Sequence, residues 1–244
     1  MVNIDIVYQR VLAIANKEQR GYITPLEFNL LANQAQLKIF EQYFYDRHQS
    51  AAIPGSKINH SDVDSMLNEK ISIFEKRDIA IFGNILPPDL YRLDSIIYED
   101  LDLYGDKGGS NKYECVEVSA KEWLYIQHSP LLQPTNIRPI YIRTEDNRVI
   151  AHGSNNEILG IGENPLLCNY IKQPYKVEWG YDVVGEKALY NASAAKTTHF
   201  QLHPSEETEL VMVILELAGV IIEDPNVVQY ANQKVSQQIQ QEKS

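Results

Sequence analysis

The chain is short of cysteine, of basic charge and of long apolar runs, and each shortage removes a class of function. Its 244 residues include two cysteines, Cys115 and Cys168. They lie far apart, form neither a disulfide framework nor a zinc spacing, and are expected to be buried thiols in a reducing compartment. Lys and Arg number 22 against 33 Asp and Glu, a formal net charge of −11. Sequence-independent nucleic-acid binding and attachment to an anionic membrane both draw on Lys and Arg, and no basic run serves either. No apolar stretch reaches the roughly 18 residues a membrane span needs. The opening MVNIDIVYQR has no basic segment leading into an apolar run, so no secretory leader is expected. Asn191-Ala192-Ser193 fits a glycosylation acceptor, a match expected to be chance in such a compartment.

What is present is enough for a core. Hydrophobic residues make up 44% of the chain, which argues against wholesale disorder. Fifteen tyrosines against six phenylalanines suit half-buried surfaces and interfaces, or simply a β-rich domain.

The N-terminal third reads as helical. From Asn3 to Arg20, apolar residues at Ile4, Val7, Tyr8, Val11, Ile14 and Ala15 share one face at the 3.6-residue period, and Gly21 stands where a helix stops. Thr24, Pro25 and Glu27 form a capping box with proline at the first helical position, and Ile23 and Phe28 are spaced as a hydrophobic staple. The face then runs Phe28, Leu31, Ala32, Ala35, Ile39 and Tyr43. This pair predicts a helical hairpin, with Phe28, Leu31, Ala35 and Ile39 against Val7, Val11 and Ile14. A loop is expected over Ser50–His60 and a third helix over Ser61–Arg77.

The middle changes period. Strands are expected at Leu90–Tyr98, Tyr113–Val118, Pro139–Arg143, Arg148–His152 and Tyr175–Tyr181, with a hairpin across Thr144–Asn147 and a turn at Tyr104–Asn111. Ser119 and Glu122 form a second capping box, so a short helix carries Trp123 and Leu124. Near the end, Ser205 is expected to cap a helix with the face Leu210, Val213, Ile214 and Leu217, closed by Gly219. Asp224-Pro225 restarts a helix into a Gln-rich tail. The order of helices, strands, helices predicts an α+β fold: an N-terminal helical hairpin or bundle (1–84), a central antiparallel β region (85–200), and C-terminal helices with a polar docking tail (201–244). The tail buries too little to be stable alone, so Val227, Tyr230, Val235 and Ile239 are its candidate interface residues.

No catalytic constellation stands out, and no cofactor or metal is expected. Gly160-Ile161-Gly162 begins a dinucleotide fingerprint, but Pro165 replaces its third glycine. His199 and His203 are four apart, which on a helix could hold a metal; Phe200, Leu202 and Pro204 instead point to an extended segment. Asp62, Asp64, Glu99, Asp100 and Asp102 could be paired on paper as hydrolytic acid and base, or be a solvated acidic face.

The run Gln19-Arg20-Gly21-Tyr22-Ile23-Thr24-Pro25-Leu26-Glu27-Phe28-Asn29, followed by Asn33-Gln34-Ala35-Gln36, resembles the opening of virion structural proteins of crAss-like and related tailed phages. Phe200–Ile222 resembles their closing helix, and Leu86–Tyr98 a strand they carry after the N-terminal helices. The layout is similar to a neck or head-to-tail connector ring protein docking below the portal. The resemblance implies a non-enzymatic, virion-located subunit of a closed ring, with other copies, the portal and neighbouring neck or tail proteins as partners. In a ring of about twelve copies the formal charge is about −130, and acids facing the lumen would keep genomic DNA from sticking as it passes. Another tail or minor capsid protein, a phage-encoded hydrolase and a small host-modifying binding protein are the rival readings.

Overall fold

A computed structural model describes residues 1–17, 23–52, 57–101, 110–144, 147–160, 165–185, 187–193 and 195–219; within the third helix, side chains are described from Ser65 on. The elements are α1 (Ile4–Lys17), α2 (Pro25–Ala52), α3 (Lys57–Ser72), β1 (Glu75–Ile81), β2 (Leu90–Leu101), β3 (Ser110–Glu117), α4 (Ala120–His128), β4 (Ile140–Thr144), β5 (Arg148–His152), β6 (Ile158–Leu159), β7 (Leu166–Lys172), β8 (Tyr181–Val184), β9 (Lys187–Tyr190) and α5 (Glu207–Leu217). The fold is α+β, as the order of periods implies. Two compact units divide it, Met1–Ile73 with Pro174–Ser244, and Phe74–Gln173. The sequence breaks near 84 and 200 follow changes of period, whereas these units follow contacts, which period does not reveal.

In the helical unit, Ile4, Val7, Tyr8, Val11 and Ala15 of α1 are buried, as are Phe28, Ala32, Ala35, Ile39, Phe40 and Tyr43 of α2. Thr24 caps α2 as its sequence requires. Its backbone N–H and hydroxyl both donate to Glu27 Oε2, at 3.0 and 2.8 Å, and the Glu27 N–H donates to Thr24 Oγ1 at 3.3 Å. The main helix contacts join α1 to α5 and α2 to α5, so they do not confirm a hairpin of α1 on α2; the two touch at Tyr8 and Phe28, ring centroids 4.5 Å apart. The reason lies in α5. Leu210, Val211, Val213, Ile214 and Leu215 are all buried, more than one face of a helix, because α5 serves two neighbours at once. Gly219, at φ 69°, follows its end as expected. Its start differs from the expectation: a short 3-10 turn, Pro204–Glu206, precedes it, and His203 rather than Ser205 is the capping side chain, Nδ1 accepting from the Ser205 N–H at 3.3 Å.

The expected strand Tyr175–Tyr181 is extended only in part as a strand, with a bridge from Glu178 to Thr198 and β8 beginning at Tyr181. Its other partner is α2. Asn33 Oδ1 accepts from the Val177 N–H and Nδ2 donates to the Val177 carbonyl, both at 2.9 Å. Asn29 makes the same pair with Trp179, at 2.8 and 3.4 Å. Gln36 donates to the Tyr175 carbonyl at 2.8 Å and accepts from the Gln201 N–H at 3.0 Å. Two residues along an extended chain advance about 6.6 Å and four along a helix about 6 Å, so amides at 29 and 33 match alternate residues at 179 and 177. Side chains of a helix thus stand in for a neighbouring strand.

In the sheet unit the strand order is β1-β7-β2-β3-β4-β5-β6. β7 lies between β1 and β2 and is buried except at Asn169. Ile96, Tyr98, Cys115, Tyr141, Val149, Ala151, Leu166, Cys168 and Tyr170 form the core. The hairpin of β4 and β5 pairs Ile140 with His152 and Thr144 with Arg148, in the place the sequence predicts. One expectation is corrected and one is refined. The third helix runs Lys57–Ser72 rather than Ser61–Arg77, and α2 extends to Ala52, into the expected loop over Ser50–His60; the chain leaves the helix before Arg77 because Glu75–Ile81 pairs with β7 as β1. The central region is mostly antiparallel, but β3 and β4 run parallel, so β3–α4–β4 is a crossover unit. Parallel neighbours cannot be joined by a tight turn, and the connection of 118–139 supplies the required length.

Candidate functional site

The residues singled out for chemistry do not assemble. His199 Nδ1 accepts from the Ile4 N–H at 3.4 Å, and His203 caps the turn before α5. Both lie outside any helix, so their spacing does not set them on one helical face. Glu99 and Asp100 are consecutive on β2 and so take opposite faces. Gly160, at φ 82°, sits against Asn84 and Leu166 rather than opening a helix. The side chains of Asp62, Asp64 and Asp102, and residues 161 and 162, lie outside the described residues. So do Val227, Tyr230, Val235 and Ile239. Among the described residues, no three His, Cys, Asp or Glu side chains gather where a metal could sit.

Among the described residues, a buried cluster of charged groups lies in the helical unit. Glu206 is 4% exposed, and its carboxylate accepts from Lys70 Nζ of α3 at 2.9 Å and from Ser205 Oγ at 3.1 Å. Burial opposes its ionisation, but Lys70 and these hydrogen bonds hold the carboxyl below its ordinary range. Glu209 moves the other way, raised by burial and by its hydrogen bond to the Glu206 carboxylate. Tyr43 is buried alongside, its phenol held protonated by burial and then by these two acids, and Lys70 Nζ stands 5.7 Å from its ring centre. The arrangement joins α2, α3 and α5. Within it the Ser205 hydroxyl donates to Glu206 at 3.1 Å and lies 2.9 Å from His203 Nδ1, contacts that hold the turn before α5 against α3.

The surface that stands out belongs to the sheet unit. A crossover helix ordinarily covers the sheet with its apolar face. None of the nine residues of α4 is buried. Leu124 is 59% and Tyr125 66% exposed, and in the turns that follow Leu131 is 96%, Leu132 61% and Ile137 73% exposed. The segment is nonetheless fixed. Ser119 and Glu122 make the expected capping box, with the Ser119 N–H and hydroxyl donating to Glu122 Oε2 at 2.9 and 2.8 Å. Trp123 stacks on His152 of β5, centroids 4.2 Å apart and planes 19° from parallel. Burial lowers the His152 pKa, so the ring stacks in its neutral form at pH 7. Asn136 and Ser154 exchange hydrogen bonds, at 2.8 and 3.2 Å, and Thr135 and Arg138 close a turn at 3.0 and 3.2 Å. Leucines on an ordered platform are presented to a partner with little entropy left to lose. The sequence carried a signal that composition alone does not rank: Trp123–Ile137 is fifteen residues without a charge, in a chain that is 23% charged.

No family model matches the chain, and no curated protein matches it. No helix among the described residues is long and apolar enough to cross a membrane.

Proposed function

We propose that this chain is a non-enzymatic structural subunit of a tailed-phage virion, forming a ring in the head-to-tail connector beneath the portal. The observation that supports the reading best is the crossover helix α4, ordered by its cap and its stacking yet with no residue buried in its own unit. Large apolar side chains exposed on one ordered, uncharged segment fit an interaction site, and Trp, Tyr and Leu match the composition of an interface core. The acidic balance fits a channel through which DNA moves without being held. The resemblance of Gln19–Asn29 and Asn33–Gln36 to virion proteins supplies the connector role, and three of its residues, Asn29, Asn33 and Gln36, hold the chain's own extended segment. In this reading they build the subunit and the α4 surface assembles it.

The test is to interrupt the coding sequence, image the particles by electron microscopy, and restore the chain in trans. Filled heads without necks or tails, repaired by the restored chain, are expected. Complete necks in its absence would overturn the reading.

A further inference from the structure

We propose that the exposed leucine stripe of α2 is the docking site of this chain's own tail, whose Val228, Val235 and Ile239 lie antiparallel along Leu37, Leu30 and Leu26. The inference concerns the helical unit alone and stands apart from the connector reading. Leu26 is 66%, Leu30 68% and Leu37 36% exposed. At 3.6 residues per turn the three fall within about 40° of one another, a narrow seam beside the face that α2 buries. The position and direction of α5 say what reaches that seam. Its start, at Glu206 and Glu209, lies by Tyr43 of α2, and near its end Glu216 Oε2 accepts from Lys38 Nζ at 3.0 Å. It therefore runs antiparallel to α2, heading for Leu37, Leu30 and Leu26. The chain continues beyond it as residues 220–244, outside the described ones. Residues 220–227 can extend over roughly 26 Å, enough to cross from α5 to the seam. The spacing then matches. Val228, Val235 and Ile239 follow at intervals of seven and four, and in the opposite direction Leu37, Leu30 and Leu26 follow at the same intervals. As helices, both sets span about 16 Å, so each tail residue meets one leucine, as in an antiparallel coiled-coil seam. Lys234 is the single charged residue over 225–241, so little charge has to be desolvated. A stripe this narrow does not hold a helix on its own, but it suffices for one laid against a helix already in place.

The test is hydrogen exchange of the full chain, read by mass spectrometry across a range of protein concentrations. Amides over 228–239 are expected to exchange about tenfold or more slowly than in the free peptide of that sequence, equally at every concentration. Leu26→Asp with Leu30→Asp is expected to return them to the free rate and leave the protection of α5 unchanged, because neither leucine is buried. If that variant does not fold, Val235→Asp with Ile239→Asp removes the same contact from the tail side and is expected to give the same loss. The register is read separately. Leu30→Cys with Val235→Cys is expected to form a disulfide within one chain under mild oxidation, whereas Leu26→Cys with Val228→Cys, about 16 Å out of register, is not. The native Cys115 and Cys168 are buried and stay out of this reaction. Free-rate exchange in the wild type, or protection that survives both double variants, overturns the proposal. Protection that rises with concentration, or a disulfide formed only between chains, overturns it too, by assigning the seam to the tail of a second copy. The connector reading fails separately, if particles lacking the chain have complete necks.

Discussion

Removing the Asn33 amide tests whether helix side chains hold the extended segment in place of a strand. The carboxamide satisfies both the N–H and the carbonyl of Val177, each at 2.9 Å, and Val177 is 2% exposed. In Asn33→Ala both groups lose their partner where water has little access. A buried group left unpaired costs about 1–3 kcal/mol, so the two together cost about 2–6 kcal/mol, and about 3 kcal/mol once partial hydration is allowed for. For a chain of this size that lowers the thermal midpoint of the helical unit by about 6–12 °C. Asn33→Asp separates the donor from the acceptor. The carboxylate still accepts from the Val177 N–H but faces the Val177 carbonyl without a proton. Protonation restores the donor, so the folded form favours the neutral acid and its folded pKa is raised. The variant should therefore be most stable below the carboxyl's unfolded pKa and lose that stability as pH rises through the folded one. Circular dichroism melts of wild type, both variants and Gln34→Ala, an exposed neighbour on the same helix, provide the readout. If Asn33→Ala melts with Gln34→Ala, or Asn33→Asp shows no pH dependence beyond wild type, the ladder is not what holds the segment.

Lys70→Met leaves the Glu206 carboxylate buried without its ammonium and should cost about 3 kcal/mol by urea denaturation. Because the folded Glu206 pKa is depressed, the wild-type advantage over this variant is present above the ordinary carboxylate pKa and should disappear as pH falls through the depressed value. Burial pushes the Cys115 thiol up to about 12 and Cys168 up to about 11, so a thiol reagent at pH 8 should react with both only after denaturant is added, and rapid labelling of native protein would contradict their placement. Gly160→Ala places a methyl 2.6 Å from Asn84 Oδ1 and 2.7 Å from Leu166 Cγ at φ 82°, so the sheet unit should lose about 1–3 kcal/mol, measured by the same urea titration.

Local structure was legible from neighbouring residues alone. Thr24 with Glu27 and Ser119 with Glu122 close their capping boxes within four residues, so no distant contact is needed to read them. The same holds for the buried face of α1, the β4–β5 hairpin and the stop at Gly219, which depend on period and turn chemistry alone. The remainder depended on contacts between residues distant in the chain. Glu75–Ile81 became a strand because β7 was available to pair with it, and α1 and α2 found α5 about 200 residues away. Asn29, Asn33 and Gln36 read as polar positions on an amphipathic helix until an extended segment some 150 residues later brings backbone groups to them. Whether the apolar residues of α4 would be covered was also beyond the sequence. Period and capping set a helix there, but burial depends on what the rest of the fold lays against it, and Leu124, Tyr125, Leu131, Leu132 and Ile137 are exposed among the described residues.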